Sequence, residues 1–170
     1  GADTWLLWFS LPACTSVLLI SITHYISIEI AAVPLLWVIP LALFLLSYII
    51  VASSWNLYRR WLFYPPFLAS LYGLTRLLDA GTTSPQLVMV GMWAALGILF
   101  VVCHGELWRT RPQTEYLSHF YLLMSVGGAC GSFLVAYVAP HIFDRNYELT
   151  IAIFVCPLLV IWSSLREKVR

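Results

Sequence analysis

The chain alternates between long uninterrupted apolar runs and short polar connections, a pattern that predicts membrane-spanning helices. About 20 consecutive apolar residues suffice for one helix to cross the hydrocarbon core of a bilayer. Six runs approach this length, and they occupy residues 5–28, 31–53, 61–78, 86–103, 117–139 and 149–165. The third run is the weakest because it contains Pro65-Pro66 and Arg76, so five or seven spans are the alternatives to six.

Composition supports this interpretation. Of the 170 residues, 61% are hydrophobic and 10% are charged, whereas a soluble domain carries roughly 25% charged residues. A water-soluble fold of this length has too little interior to bury so much apolar surface. We therefore predict an all-α fold, a polytopic transmembrane helix bundle that forms a single domain over residues 1–170.

The basic residues predict the orientation of the bundle. Under the positive-inside rule, Lys and Arg collect in cytoplasmic loops. Seven of the nine follow the second, fourth and sixth runs, namely Arg59, Arg60, Arg109, Arg111, Arg166, Lys168 and Arg170. Only Arg76 and Arg145 fall on the other side. This asymmetry predicts that both termini are cytoplasmic. No basic stretch is dense enough to follow a phosphate backbone, so a nucleic-acid partner is not expected.

The four cysteines, Cys14, Cys103, Cys130 and Cys156, all lie within apolar runs and form no CxxC pair. This placement is typical of small buried side chains rather than of a disulfide framework or a metal site. The sequence identifies no metal ligands and no cofactor.

A small-residue motif, Gly127-Gly128-Ala-Cys-Gly131, lies inside the fifth run. Glycines four residues apart allow two helix backbones to approach closely in a membrane. Helix packing within the chain is the simpler interpretation, and dimerisation or a substrate groove are the alternatives.

Two groups of ionisable residues are candidate sites. His24 and Glu29 flank the connection between the first two runs, where a pair could bind a cation or relay protons. The alternative is an ordinary interfacial glutamate. His104, Glu106, Arg109 and Arg111 are predicted to crowd a cytoplasmic loop after the fourth run, where they could clamp an anion or gate a cavity. The alternative there is a solvated loop.

The histidines form two predicted layers, with His104 and His119 on the cytoplasmic side and His24 and His141 on the other. Such layers are one way to ligate haem in a helix bundle, although these positions lie near the membrane surfaces. No Ser-His-Asp arrangement, HExxH motif or glycine-rich nucleotide site is present, so the sequence predicts no enzyme.

Several spaced motifs resemble one known family. They are Thr23-His-Tyr-Ile-Ser27, Ile30 to Val38 with Pro40-Leu41, Cys103-His-Gly-Glu-Leu107, Arg111-Pro112, Phe120-Tyr-Leu122, Gly127-Gly128 with Gly131, Ala139-Pro140, Phe143 and Glu148. The pattern resembles the membrane domain of bacterial fused spermidine-synthase-like, major-facilitator-like integral membrane proteins. The resemblance implies a location in the bacterial inner (cytoplasmic) membrane and a soluble aminopropyltransferase domain beside the helices. This sequence lacks that domain, so aminopropyl transfer is not expected.

We therefore predict a non-catalytic membrane subunit that contacts lipids and packs against other membrane protein subunits or a second copy of itself. One alternative is half of a transporter for a polyamine or another cation, with His24, Glu29 and Glu106 as candidate ligands. A second alternative is an electron-transfer subunit that binds haem or quinone.

Overall fold

The computed structural model describes residues 2–30, 35–53, 58–79, 84–143 and 147–169. Within these ranges all regular secondary structure is helical, which confirms the all-α prediction for the described part of the chain. The long helices are α1 (Ala2–Tyr25), α2 (Val38–Ala52), α3 (Arg60–Asp79), α4 (Pro85–Arg109), α5 (Leu117–Phe133) and α6 (Tyr147–Val169). A π-helical turn, Ile26–Ile30, extends α1, and α5 continues through a second π turn, Leu134–Val138, to a last helical turn, Ala139–Ile142.

The observed helix ends differ from the predicted runs where polar residues or prolines interrupt the apolar pattern. Helix α4 does not end at Cys103 but continues for six residues to Arg109. The fifth run is predicted to end at residue 139, but the helical path continues through Pro140 to Ile142. Pro65 and Pro66 lie within α3 without ending it. Residues 31–34 at the predicted start of the second run lie outside the described residues.

Consecutive long helices run in opposite directions. Leu43 packs on Gly97 and Ser47 on His104, so α2 and α4 are parallel. Leu77 packs on Gly91 while Arg60 reaches Glu106, so α3 is antiparallel to α4.

The first and last helices are antiparallel to each other. At one end of the bundle, Arg166 of α6 forms an ion pair with Asp3 of α1. Further along the same two helices, the Cys14 thiol faces the Ala152 carbonyl oxygen. The start of α1 and the end of α6 therefore lie at the same end of the bundle.

The centre of the bundle is formed by α1 and α4. Helix α1 packs against α2, α4, α5 and α6, and α4 also contacts α2, α3 and α6. In the apolar windows of α1 and α4 56% of the residues are buried, against 22% for α5 and 33% for α6. Helix α5 is therefore attached mainly along one face.

Within the described ranges, four helices are long and apolar enough to cross a membrane, namely α1, α4, α5 with its extensions, and α6. Helix α2 is apolar but has 15 residues, which corresponds to about 22 Å. Helix α3 carries Arg60, Arg76 and Asp79. Large apolar side chains such as Ile49, Leu122 and Phe154 are more than 60% exposed. Water would disfavour such a surface, whereas lipid would not.

Candidate functional site: a buried carboxylate and its neighbours

Glu106 is the one formally charged side chain that is buried among the described residues. It lies in α4 within the continuous buried stretch 99–107, and its side chain is 0% exposed. Burying a carboxylate without compensation would be very costly, so the structure must supply partners. Arg60, at the start of α3, donates from Nε to Oε1 at 2.7 Å and from Nη2 to Oε2 at 2.5 Å. Such a two-point contact is the strongest arrangement of these two groups.

Three hydroxyl groups complete the shell around this carboxylate. Oε1 accepts hydrogen bonds from Tyr58 at 2.8 Å and from Tyr64 at 3.2 Å, and Oε2 accepts one from Ser163 at 2.9 Å. A carboxylate offers about four lone-pair positions. With five donors around it, Glu106 has no acceptor capacity left for a substrate. We call Glu106, Arg60, Tyr58, Tyr64 and Ser163 the Glu106 network; it joins α3, α4, α6 and the residues before α3.

Gly105 explains how Tyr58 reaches this network. A Cβ atom on residue 105 would lie 2.6 Å from three ring carbons of Tyr58, so only glycine lets the ring lie against the α4 backbone. Burial of Tyr58 raises the pKa of its phenol, and the negative charge of Glu106 raises this pKa further. The phenol therefore stays protonated and remains a donor to the carboxylate.

His104 belongs to a different environment, although it is only two residues from Glu106. Its ring is 1% exposed and stacks on Tyr48 with 3.7 Å between ring centroids. The Ser47 hydroxyl lies 2.7 Å from Nδ1 of His104 and donates its own proton to the Phe44 carbonyl oxygen at 2.6 Å. Ser47 Oγ can therefore only accept from Nδ1–H, which leaves the lone pair on Nε2. Within the described residues, Nε2 has no hydrogen-bond partner.

The predicted loop cluster of His104, Glu106, Arg109 and Arg111 is not a loop cluster in the structure. His104 and Glu106 are buried side chains of α4: Ser47 contacts Nδ1 of His104, and the Glu106 network satisfies the carboxylate. Arg109 is exposed at the last turn of α4, and Arg111 lies over the Trp108 ring at 4.8 Å. The prediction of a solvated or gating loop at residues 104–109 is therefore wrong.

The predicted His24 and Glu29 pair is only partly described. His24 is exposed near the end of α1. The side chain of Glu29, in the following π turn, lies outside the described residues. A cation site or proton relay at this pair stays a prediction.

Gly127 and Gly131 lie at the closest helix contact of the bundle. A Cβ atom on Gly127 would overlap the backbone carbonyl oxygen of Phe9, and one on Gly131 would overlap that of Ala13. Gly128 faces the Ser16 hydroxyl with more room, since its Cβ would lie 3.2 Å from Oγ. In this structure the motif therefore serves packing of α5 on α1 within one chain.

The sequence predicted that all four cysteines are buried, but the structure buries only three of them. Cys14, Cys103 and Cys156 are buried, whereas Cys130 is exposed on the free face of α5. The thiols of Cys103 in α4 and Cys156 in α6 are 3.2 Å apart.

No group of three or more His, Cys, Asp or Glu side chains in the described part of the chain is arranged to hold a metal ion. The other two histidines, His119 and His141, are exposed, and none of the ring contacts among the described residues joins two histidines.

Sequence reasoning identified Glu106 but missed Arg60, Tyr58, Tyr64 and Ser163 as its partners. A signal was present, since a glutamate next to a long apolar run needs a cationic partner, and Arg60 is predicted to lie on the same side of the membrane.

A scan against family models, a search of curated proteins and a search of solved structures each found no match for the chain. The geometry itself thus has to indicate the function, and at Glu106 it shows a carboxylate whose oxygens are occupied by donors from α3, α6 and the residues before α3.

Proposed function

We propose that the chain is a non-catalytic membrane module whose six helices cross the bacterial cytoplasmic membrane and which packs against another membrane protein. Both termini are cytoplasmic in this proposal. The Asp3–Arg166 ion pair supports it by bringing the start of α1 and the end of α6 together. The Trp8 indole donates to the Thr110 carbonyl oxygen, so the end of α4 with its arginines lies at that same end. Arg76 lies towards the opposite end of α3.

The observation that carries the proposal is the contrast between the free faces of α5 and α6. The free face of α6 is a ridge of large apolar side chains, as a lipid-facing helix requires: Ile151, Phe154, Leu158, Ile161 and Leu165. The free face of α5 and its π turn also exposes large residues, such as Leu122 and Val126, but it includes small ones that the α6 ridge lacks, with Ser125, Ala129 and Ala136 exposed. Small and hydroxyl-bearing residues are typical of helix–helix interfaces in membranes.

A groove beside α5 strengthens this interpretation. It has a volume of about 350 Å³ and lies between α2 and α5, with α1 at its base. Hydroxyl-bearing side chains line it, namely Ser16, Tyr48, Ser125 and Ser132. Lipid chains offer these groups no hydrogen-bond partner, whereas a neighbouring helix does. We call the exposed small residues of α5 together with this groove the α5 face, and we propose that it receives the partner.

The Glu106 network fits a scaffold better than a reaction centre. Its carboxylate is neutralised by Arg60 and fully occupied by hydroxyl donors. Such a network holds α3, α4 and α6 in register, and α1, which carries α5, packs against α4 and α6.

The experiment is native mass spectrometry of the complex extracted gently from its own membrane. We expect a mass above that of one chain with reproducible partner polypeptides, or with a second copy. The variant Ala129→Trp places a large ring on the α5 face and should release the partner. Ile161→Trp, at a position 53% exposed on the lipid-facing ridge of α6, is the matched control and should retain it.

A monomer without partners in the wild type would overturn the proposal. Equal partner retention by Ala129→Trp and Ile161→Trp would also overturn it, since the α5 face would then not be the interface. Both variants should keep the thermal unfolding midpoint of the wild type, which separates loss of docking from loss of folding.

A half-transporter is the second candidate, and the hydroxyl-lined groove favours it. In a twelve-helix carrier, the substrate path lies between two such bundles. The resemblance of the sequence to major-facilitator-like membrane domains also supports this candidate. Polyamine uptake into liposomes that is lost in Ser125→Ala and Ser132→Ala would support it, and the absence of uptake of any cation would exclude it.

A further inference from the structure

Three thiols meet in the interior of the bundle, where α1, α4 and α6 come together. Cys103 of α4 and Cys156 of α6 are both 0% exposed, with their sulfur atoms 3.2 Å apart. Cys14 of α1 is 7% exposed, and its Sγ lies 3.9 Å from the carbonyl oxygen of Ala152, four residues before Cys156 in α6. Neither the scaffold proposed above nor the Glu106 network uses these thiols.

The two closest sulfur atoms belong to helices that are already held together nearby. Cys103 is three residues before Glu106 in α4, and Cys156 is seven residues before Ser163 in α6, so each pair shares one helix face. The Ser163–Glu106 hydrogen bond at 2.9 Å fixes the same interface. Since a disulfide has an S–S distance near 2.05 Å, the observed separation needs only a small approach of the two side chains.

An apolar groove leads towards this thiol cluster from the lipid side. Its volume is about 380 Å³, and it lies between α1, the end of α5 and α6. Cys14 and Ala152 line it, and Ala152 is one helical turn before Cys156. Ser10 and Glu148 are the polar residues at its edge, and the remaining lining residues are apolar, including Val135, Ala139 and Val155. Polar oxidants would not enter such a path, whereas a membrane-soluble one would.

We propose that Cys103 and Cys156 form a reversible disulfide across the α4–α6 interface, with a lipid-soluble oxidant of the quinone class as the electron acceptor. The two S–H bonds break and one S–S bond forms, so the thiols release two protons and two electrons. The quinone takes up both protons and both electrons and leaves as the quinol. Cys14 lines the groove by which the quinone reaches the pair.

The test uses the full chain in lipid nanodiscs, with Cys130→Ser as the starting variant because Cys130 is exposed and could link two chains. The reduced protein is incubated without oxygen with a benzoquinone that carries a decyl chain. It is then denatured in acid and alkylated with N-ethylmaleimide, and its intact mass is measured. Of the three remaining thiols, we expect only that of Cys14 to be alkylated, with one quinol formed per chain. Digestion without reductant should give one cross-linked peptide that contains Cys103 and Cys156.

Three results would overturn the proposal. They are alkylation of all three thiols as in the untreated protein, a cross-link that joins Cys14 to another cysteine, and oxidation of the pair by membrane-impermeant ferricyanide as fast as by the quinone. Val155→Trp should slow the oxidation by filling the groove, whereas Ile161→Trp on the same helix should not. Adding Cys103→Ser should abolish quinol formation. The outcome is independent of partner binding at the α5 face, so each proposal can fail separately.

Discussion

Arg60 and Glu106 form a two-point ion pair between the first turn of α3 and the last turns of α4, with one guanidinium nitrogen on each carboxylate oxygen. The Arg60 side chain keeps 23% of its surface exposed, whereas Glu106 has none. The pair therefore lies where the bundle interior meets the surface, and Arg60 brings its positive charge to a carboxylate that water does not reach. Removing one member leaves the other with an unmatched charge.

Replacing one member of this pair should destabilise the fold strongly. Glu106→Gln and Arg60→Gln each leave one buried or half-buried charge alone, for which we expect a loss of about 3–5 kcal/mol in the free energy of unfolding. The double variant should lose less than the sum of the two, because no uncompensated charge remains. Reversible unfolding in detergent measures all three. Glu115→Gln, at an exposed acid, is the matched control and should lose little stability. A loss for Glu106→Gln as small as that of the control would contradict the role of the network.

Tyr58 should make stability depend on alkaline pH. Free tyrosine ionises near pH 10, and burial together with the Glu106 charge raises the pKa of Tyr58 in the folded chain. The contribution to stability is thus complete below about pH 10 and is lost as pH rises towards the folded-state pKa. In Tyr58→Phe we expect a shallower decline above pH 10 and, at neutral pH, a loss of roughly 1.5–3 kcal/mol from the missing hydrogen bond to a charged group.

Denaturation midpoints measured from neutral to alkaline pH check this prediction. Tyr116→Phe, at an exposed tyrosine, is the control and should follow the wild type throughout. If the Tyr58→Phe and wild-type curves remain parallel above pH 10, ionisation of Tyr58 does not limit stability.

The apolar pattern predicted the number and order of the helices but not where α4 ends. Whether a polar residue ends a membrane helix depends on whether the fold supplies it with a partner. Helix α4 continues through Glu106 because Arg60, 46 residues away in sequence, binds the carboxylate. It also continues through His104, since Ser47, 57 residues away, accepts the Nδ1 proton. Hydropathy along the chain contains no information about such distant pairs.

The role of Gly105 shows the same limit at the site itself. The motif His104-Gly105-Glu106 is visible in the sequence, but a glycine there is equally typical of a loop and of a close packing contact. Only the position of the Tyr58 ring, at 2.6 Å from where a Cβ would lie, explains it. The glycines of α5 were easier to interpret, since their spacing alone indicates a close helix contact. Which helix fills that contact could not be predicted.

The contact between α1 and α5 should be sensitive to single methyl groups. Gly127→Ala and Gly131→Ala would each place a Cβ against a backbone carbonyl oxygen of α1, which cannot move as a side chain can. We expect each to cost about 1–3 kcal/mol. Gly128→Ala is the matched control in the same helix, because its Cβ would meet only the Ser16 hydroxyl at 3.2 Å. Thermal unfolding in detergent should rank Gly128→Ala as the mildest, and equal effects at all three positions would contradict the close approach.

The arrangement of Ser47 and His104 fixes which ring nitrogen carries the proton, and a pair of serine variants tests it. Ser47→Ala removes the acceptor for Nδ1–H in a buried environment, at a cost of about 1–3 kcal/mol. Ser53, which directly follows α2, makes a similar hydrogen bond to the Ile50 carbonyl oxygen, and its hydroxyl does not contact a histidine ring. Ser53→Ala should therefore cost less.

Combining Ser47→Ala with His104→Phe should recover part of the stability, because both polar partners are then replaced by apolar groups of similar shape. Nitrogen NMR of the labelled histidine should show a neutral ring protonated at Nδ1. If the proton is found on Nε2, Ser47 must donate to the ring rather than to the Phe44 carbonyl oxygen. In that case the buried lone pair lies on Nδ1, already occupied by a hydroxyl, and His104 has no atom left to ligate a haem iron.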